Sequence, residues 1–144
     1  REVNIDFSCL DSTGRRARID HVIDRGTHII LFEVDEHQHS AYLVSCEMRR
    51  MADVYGAIIT SGETRPIVFM RFNPDAYSVD GKRKRVLRKD KMAKAVEIIE
   101  TYVPTQPFEI MYLYYDMELD GTLSQFSDRD YNEEMKKLVT KCIH

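Results

Sequence analysis

Residues 28–39 read His-Ile-Ile-Leu-Phe-Glu-Val-Asp-Glu-His-Gln-His, a passage that turns from apolar to acidic within a few positions. Its apolar half has the composition of a strand that is buried on both faces of a sheet. The segment before it is also rich in Ile and Val, and Arg-Gly-Thr at 25–27 separates the two segments as a turn. We therefore predict a β-hairpin with a first strand over 15–24 and a second strand over 29–36.

Three carboxylates cluster in this predicted hairpin. Because side chains alternate along a strand, Glu33 and Asp35 share one face, about 6–7 Å apart along the strand axis. Asp20 belongs to the partner strand and can lie beside them. Carboxylates packed together repel one another and are costly to desolvate, so a bound divalent cation, Mg²⁺ (or Mn²⁺), is the simplest way to stabilise them. The alternative is a strand end that emerges into water, where acidic residues are common.

The composition is that of one globular domain, 1–144. With 144 residues, 43% hydrophobic and 31% charged, the chain can form a sizeable core. It begins at Arg1 rather than Met, so we expect a domain excised from a longer protein. No apolar run reaches membrane-spanning length and no signal-peptide pattern is present, so we expect an intracellular protein, nuclear or cytoplasmic, without membrane contact. The three cysteines form no CxxC pair and fit free thiols of a reducing compartment.

Charge is distributed unevenly along the chain. The formal net charge of −3 argues against indiscriminate nucleic-acid binding. A dense basic block nevertheless follows residue 80, and it contains Lys82, Arg83, Lys84, Arg85, Arg88, Lys89, Lys91 and Lys94, of which the first five are the candidate nucleic-acid contacts. Such a block is either a solvated face or, beside an acidic metal site, a track for nucleic-acid phosphates. Both interpretations stay open.

Helices and strands alternate in the rest of the chain. Apolar periodicity and β-branched runs predict a helix, a strand, a basic loop, a second helix, another strand and, after a capping box, a last helix. In that order the predicted ranges are 41–57, 66–73, 77–85, 90–103, 108–115 and 127–142. The predicted buried faces are Met92, Val96, Ile99 and Val103 in the second helix, and Tyr131, Met135, Leu138 and Cys142 in the last one.

Two arginines fall in predicted core elements. A charged Arg71 inside a core strand is costly without a partner, so it either neutralises the carboxylates or holds a scissile phosphate. Arg50 follows Glu47 by three positions, so the two side chains share a helix face. They form either a surface ion pair of little consequence or part of the site, with Arg50 on a phosphate and Glu47 near the metal.

The order strand, strand, helix, strand, helix, strand, with acids on the first two strands, resembles the PD-(D/E)xK nuclease superfamily. Ile19-Asp20 stands where that family has Pro-Asp, and Glu33-Val34-Asp35 stands where it has (D/E)xK. A closer likeness is to the branch of very-short-patch repair and EDxHD homing endonucleases, over roughly residues 15–77. Its pattern of acids, Gln-His, helix Arg and strand Arg-Phe is matched by Asp20, Glu33, Asp35, Gln38, His39, Arg50, Arg71 and Phe72.

The resemblance implies a restriction-endonuclease-like three-layer α/β fold, with a central mixed β-sheet of four to five strands flanked by helices. It also implies a Mg²⁺-dependent endonuclease that hydrolyses phosphodiester bonds of DNA, with RNA as a substrate that the pattern does not separate from DNA. The implied roles are metal ligation by Asp20, Glu33 and Asp35, orientation of water or a base by Gln38, proton transfer by His39, and phosphate stabilisation by Arg50 and Arg71.

Two positions depart from the family pattern. Ile19 replaces the Pro, a change that the superfamily tolerates. Asp35 replaces a Lys that would help to orient or activate the attacking water, and a carboxylate cannot donate in that way; the resemblance implies that a His takes up part of this work. The alternative function is therefore a nuclease-derived module that binds nucleic acid or protein without cutting. Because double-strand cutting usually needs two active sites, a homodimer or other domains of the parent protein are expected partners.

Overall fold

The computed structural model describes residues 3–5, 17–35, 44–124 and 139–143. Within these ranges neither helix has the length and apolar content that spanning a membrane requires. The strands and helices are, in chain order, β1 (Val3–Ile5), β2 (Ala17–Ile19), β3 (His21–Asp24), β4 (Ile29–Val34), α1 (Val44–Thr60), β5 (Ile67–Phe72), β6 (Tyr77–Val79), β7 (Lys82–Lys84), α2 (Arg88–Thr101), β8 (Phe108–Leu113) and β9 (Val139–Ile143).

A mixed sheet forms the centre of the molecule, with strand order β3-β4-β5-β8-β9. β3 is antiparallel to β4, and the other neighbouring strands are parallel. Helix α1 connects β4 to β5, and α2 lies in the connection from β5 to β8, as parallel neighbours require. The predicted α/β class, with a mixed sheet of four to five strands and flanking helices, is therefore confirmed.

The two helices cover opposite faces of the sheet. Met51 and Val54 of α1 pack against alternate strand residues such as Leu31 and Phe69. α2 packs against the intervening residues, among them Met70. Each fully buried aliphatic or aromatic side chain of this kind contributes roughly 1.5–3 kcal/mol. The arrangement is consistent with three layers, helix on sheet on helix.

These helix positions differ from what the right-handed crossover rule predicts. The connections through α1 and α2 both step in the same direction across the sheet, so two right-handed crossovers would place both helices on one face. Because α1 and α2 lie on opposite faces, the two connections have opposite hands. One of them is therefore left-handed, which is found in roughly 2% of such connections.

The predicted first strand of the hairpin is interrupted at Asp20. β2 pairs with β1 in a separate two-stranded sheet, whereas β3 pairs with β4, starting with His21 opposite Phe32. At the interruption, the Asp20 Oδ2 accepts a hydrogen bond of 2.8 Å from the backbone N–H of Val34. The Asp20 side chain thus takes the place of the next backbone hydrogen bond between the two strands. The hairpin of β3 and β4 itself is confirmed.

Of the predicted stripe of α2, Ile99 packs against the core, whereas the other three residues do not form the buried face. Met92, Val96 and Val103 are 41%, 44% and 65% exposed, whereas Lys91 and Ala95 are buried. The lysine amine finds backbone carbonyl oxygens and aromatic rings in the interior. A lysine therefore occupies a buried position that the apolar pattern assigned to the polar face of α2.

The predicted last helix is wrong at its end. Residues 139–143 form β9, which extends the sheet beside β8 with Cys142 opposite Tyr112. The segment Val-Thr-Lys-Cys-Ile is rich in β-branched residues, and pairing with β8 supplies its backbone hydrogen bonds. Positions 127–138 of this predicted helix, and 41–43 of the first one, lie outside the described residues.

The predicted basic loop over 77–85 is a β-hairpin, β6–β7. Asp80 and Gly81 form its turn with φ angles of 53° and 73°, and two positive values are what a type I′ turn requires. The N–H of Asp80 donates to the Met117 carbonyl at 2.8 Å, and the N–H of Met117 donates to the Ser78 carbonyl at 3.0 Å. β6 is thus held on its inner side, and the basic residues of β7 are exposed.

Candidate functional site

Five charged side chains meet where β4 and β5 end, beneath the first half of α1. Glu33 and Asp35 come from the end of β4, Arg71 from β5, and Glu47 and Arg50 from α1. The parallel register places Glu33 directly beside Arg71. We call these five residues the acid–arginine site. It is largely closed to water, since Glu33, Asp35 and Arg71 are 3%, 0% and 2% exposed.

Arg71 is the centre of this site. Its Nε donates to the Asp35 Oδ2 at 2.6 Å, and its Nη2 donates to the Glu47 Oε2 at 2.5 Å. The Glu33 Oε2 lies 3.8 Å from the same Nε. Burial by itself lowers the pKa of Arg71, but the neighbouring carboxylates, Asp35 first among them, outweigh it and hold the pKa well above its ordinary value. Two roles were predicted for Arg71, and its contacts support the first of them, neutralisation of the carboxylates.

Arg50 makes a two-pronged ion pair with Glu33. Its Nη1 and Nη2 donate to the two carboxylate oxygens at 2.8 and 2.5 Å, which is the strongest geometry available to such a pair. Burial lowers the pKa of Arg50, and the charge and hydrogen bonds of Glu33 raise it by more, so the net shift is upward. The Glu47 Oε2 lies 3.7 Å from the Arg50 Nη2. Glu47 therefore lies between the two arginines.

Tyr115 completes the site, and sequence analysis missed it as a site residue. Its hydroxyl donates to the Asp35 Oδ2 across 80 positions of sequence, a separation that no local pattern connects. Tyr114 has a φ of 65°, rare for a bulky residue, and this breaks the alternation of β8, so that Tyr115 faces α1 while Tyr114 faces α2. The Asn73 Nδ2 holds the turn by donating to the Tyr114 carbonyl at 2.8 Å. Burial raises the pKa of Tyr115 well above its usual value, so the hydroxyl keeps its proton.

The predicted metal ligands are not assembled into a metal site in this arrangement. Asp20 uses its Oδ2 on the backbone of Val34, whereas Glu33 and Asp35 are held by arginines. In the described part of the chain, no three His, Cys, Asp or Glu side chains form a group that could hold a metal ion. The predicted Mg²⁺ therefore stays a prediction. So do the roles of Gln38 and His39, which lie outside the described residues.

Five residues of the basic block were predicted to bind nucleic acid, namely Lys82, Arg83, Lys84, Arg85 and Arg88, and none of them belongs to the acid–arginine site. They lie in or next to the β6–β7 hairpin and at the start of α2, and all are exposed. A cavity of about 320 Å³ opens between the hairpin and the helix. We call it the basic cavity, and its charged lining consists of Asp75, Arg83, Lys84, Arg85, Arg88 and Lys91.

Lys91 forms the inner wall of the basic cavity. Sequence analysis counted it in the basic block but did not predict its burial. It is 2% exposed, and its Nζ donates to the Asp75 carbonyl at 2.5 Å. The amine also lies 5.0 and 5.2 Å from the ring centres of Tyr77 and Tyr114, within the range of cation–π attraction. Burial lowers the pKa of Lys91, and the charge of Asp75 opposes that shift. The helical periodicity offered no signal for this residue because it marks the position as polar.

No family model, curated protein or solved structure matches this chain. The resemblance to PD-(D/E)xK nucleases therefore depends on the residues themselves. The structure brings four of the predicted site residues together, namely Glu33, Asp35, Arg50 and Arg71. Asp20, the fifth described residue of the predicted catalytic set, accepts a hydrogen bond from the backbone of Val34, next to Glu33.

Proposed function

We propose that this chain is a restriction-endonuclease-like nuclease domain that hydrolyses phosphodiester bonds of DNA in the presence of Mg²⁺ (or Mn²⁺). The observation that supports this proposal is the acid–arginine site. It gathers acids from β4, an arginine from β5 and an arginine from α1 at the strand ends where α/β proteins commonly bind ligands. These residue types match those that the resemblance assigns to phosphate and to the reaction.

The manner of burial also supports a functional role for this site. Glu109, another fully buried carboxylate, accepts hydrogen bonds from the N–H groups of Thr105 and Gln106 at 2.8 and 2.9 Å and from the Tyr102 hydroxyl. Neutral donors therefore suffice to bury an acid in this fold. The acid–arginine site instead removes several charges from water, each with a desolvation penalty of several kcal/mol. Such concentrations of buried charge are typical of sites that act on a ligand.

Arginine chemistry connects this arrangement to phosphate. Arg50 is the more accessible of the two arginines, with its side chain 13% exposed against 3% for Arg71. A phosphate presents paired oxygens to a guanidinium much as a carboxylate does, so a backbone phosphate can compete with Glu33 for Arg50. When Arg50 turns to the phosphate, Glu33 loses its bidentate partner, keeps the Arg71 Nε at 3.8 Å, and becomes available for another cation. We therefore assign phosphate binding to Arg50, with Arg71 beneath it.

A divalent cation fits the charge of the site but not its present ligand arrangement. With Asp20 included, the carboxylates outnumber the arginines by two, an excess that one divalent ion would neutralise. However, Arg50 occupies both oxygens of Glu33, and Arg71 occupies the Asp35 Oδ2. Metal binding by Asp20, Glu33 and Asp35 therefore requires that at least one arginine leave its carboxylate.

Gln38 and His39 remain the proposed groups for water orientation and proton transfer. They follow Asp35 by three and four positions in the sequence. Histidine titrates near neutral pH, which suits a general base or an acid for the leaving group.

A plasmid-nicking assay tests the endonuclease proposal. The wild-type chain should nick supercoiled DNA with Mg²⁺ or Mn²⁺ and stop when EDTA is added. Glu33→Gln and Asp20→Asn should lower the rate by at least about 100-fold. Glu97→Gln, the same change at an exposed acid on α2, should leave the rate unchanged. Nicking that resists EDTA, or a Glu33→Gln variant that cuts normally, would contradict the proposal.

A module that binds nucleic acid without cutting is the second candidate function. Two observations favour it: arginines already neutralise Glu33 and Asp35, and Asp35 stands where the family pattern has a lysine. Calorimetric titration with Mg²⁺ and Mn²⁺ separates the candidates. Retained DNA binding without metal uptake or EDTA-sensitive nicking supports the module. The same assays with RNA identify the substrate, and sedimentation with and without DNA tests for the expected homodimer.

A further inference from the structure

The basic cavity has a composition unlike that of an ordinary solvated face. Five cationic side chains and one carboxylate line it. Arg88 Nη2 lies 3.4 Å from that carboxylate, the Asp75 side chain. In the described part of the chain, no carboxylate lies within ion-pair distance of Arg83, Lys84 or Arg85. A concave surface with this excess of positive charge attracts anions.

Both sides of the cavity are held by contacts with the rest of the fold. Lys91 is held at its inner side by backbone carbonyl oxygen and by two tyrosine rings. On the hairpin side, the N–H of Ser78 donates to the Asp116 Oδ1 at 2.8 Å, in addition to the two backbone bonds that tie β6 to Met117. The cations of β7 are therefore presented on a supported hairpin, and a ligand would not have to order a free loop.

The size and charge of the cavity point to a small, doubly charged group. A volume of about 320 Å³ is at the lower end of the range for small-ligand sites, about 300–1,000 Å³. An internal phosphodiester carries one negative charge, whereas a phosphomonoester carries about −1.5 to −2 at neutral pH. The phosphomonoester therefore matches the excess of cations better, and in a nucleic acid it occurs at the end of a strand.

The cavity is also close to the acid–arginine site. Asp75 follows Arg71 by four residues, so their Cα atoms are at most about 14 Å apart. One strand of B-form DNA advances about 3.4 Å per nucleotide. In a straight line this distance corresponds to about four nucleotides. A strand would have to pass around the end of the sheet, because Arg71 contacts α1 whereas the cavity lies beside α2.

We propose that the basic cavity binds the terminal phosphate of a nucleic-acid strand, with Lys84, Arg85 and Arg88 as its main contacts. The proposal rests on the proposed function only in taking nucleic acid as the ligand. It adds a second subsite, on the α2 side of the sheet edge, that recognises a strand end and positions it a few nucleotides from the acid–arginine site.

Fluorescence anisotropy in EDTA tests this subsite without any cutting. Three versions of one labelled oligonucleotide are compared, with a 5′-phosphate, a 3′-phosphate or hydroxyls at both ends. The wild-type chain should bind one phosphorylated version about tenfold more tightly than the hydroxyl version, because the lost contacts are charge-assisted. Inorganic phosphate should compete for that preference. The preferred version identifies which end the cavity holds.

Two double variants decide whether the cavity carries the preference. Lys84→Ala/Arg85→Ala removes two charges from its lining, and Lys89→Ala/Lys94→Ala removes two from α2 outside it. The first should abolish the tenfold preference, whereas the second should keep it even if overall affinity falls. Equal affinity of all oligonucleotides for the wild type, or an equal loss of preference in both variants, would overturn the subsite. If the wild-type chain nicks DNA but shows no preference for a phosphorylated end, the subsite is refuted and the endonuclease proposal stands. If it prefers a phosphorylated end but does not nick DNA, the endonuclease proposal is refuted and the subsite stands.

Discussion

The molecule handles its two concentrations of charge in opposite ways. In the acid–arginine site, Arg50 and Arg71 each donate to a carboxylate within 2.8 Å, and most of the site is closed to water. In the basic cavity, the hairpin cations are exposed, and the ion pair of Arg88 with Asp75 is long, at 3.4 Å. The arginines of the first region are paired with carboxylates inside the protein. Among the described residues, the cations of the second region have one carboxylate within ion-pair distance, that of Asp75.

This difference separates the two regions energetically. A buried ion pair is sensitive to the loss of one partner and little affected by salt, whereas an exposed cation is screened by salt and adds little to stability. Substitutions in the acid–arginine site should therefore change the free energy of unfolding. Substitutions in the basic cavity should change the affinity for nucleic acid instead.

The largest expected effect follows from removing the central arginine. Arg71→Met keeps the length of the side chain but leaves Asp35 and Glu47 without the guanidinium that they share. Because this leaves buried charge uncompensated, we expect a loss of about 3–5 kcal/mol in the free energy of unfolding. Urea titration measures this loss. The control is Arg85→Met, next to the exposed hairpin, which should change the free energy of unfolding by less than about 0.5 kcal/mol. Equal losses in the two variants would contradict the proposed difference between the regions.

A double-mutant cycle sharpens the same contrast at a single pair. We expect a coupling free energy of roughly 1–3 kcal/mol between Arg50 and Glu33, because the pair is bidentate and mostly buried. The matched control is Lys94 with Glu97, an exposed pair at 3.4 Å, for which we expect less than about 0.5 kcal/mol. Alanine substitutions and urea titration give both values. A coupling for the buried pair no larger than for the control would show that burial does not strengthen it.

Sequence patterns predicted the sheet better than they predicted how the helices pack. The apolar run at 29–32 and the β-rich run at 66–73 are strands β4 and β5, since residues buried on both faces leave a continuous apolar signal. The face covered by α2 depends on the hand of its crossover, which leaves no mark in the sequence. The strand β9 was mistaken for the end of a helix because its pairing with β8 is a distant contact.

Contacts within the candidate site could be predicted only where the charge of one residue required an oppositely charged partner. A charged Arg71 in a core strand required an acid, and the acids of β4 were the natural partners. Tyr115 could not be found in this way, because its contact with Asp35 depends on the unusual φ of Tyr114. The burial of Lys91 could not be predicted either, because it depends on carbonyl oxygens and aromatic rings that other parts of the fold supply.

A substitution in the turn of the basic hairpin changes the backbone of the hairpin without changing its charge, and we expect a smaller effect from it. Gly81 has a φ of 73° with nothing within 4 Å of an added Cβ, so Gly81→Ala introduces backbone strain without a clash. We expect a loss of about 1 kcal/mol in stability and weaker nucleic-acid binding by an unchanged set of charges. Gly56→Ala, at an exposed position inside α1, should instead stabilise the protein by about 0.5–1 kcal/mol. Thermal unfolding and anisotropy provide the two measurements, and a stabilising Gly81→Ala would show that the turn does not define the hairpin.

The smallest effect concerns pH, and it lies at the opposite end of the sheet from both charged regions. His28 is 4% exposed, and burial, aided by the charge of Arg25 and opposed by that of Glu109, lowers its pKa below the ordinary value of 6.5. Below pH 6.5 the unfolded chain then binds more protons than the folded one, so this contribution to stability is complete above that pH and declines as the pH falls. His28→Gln, which keeps a neutral polar side chain beside Thr27, should flatten this decline in urea titrations between pH 5 and 8. The raised pKa values of Arg50 and Arg71 keep both arginines charged throughout that range, so neither arginine should supply the slope. A decline that persists unchanged in His28→Gln would show that a group other than His28 causes it.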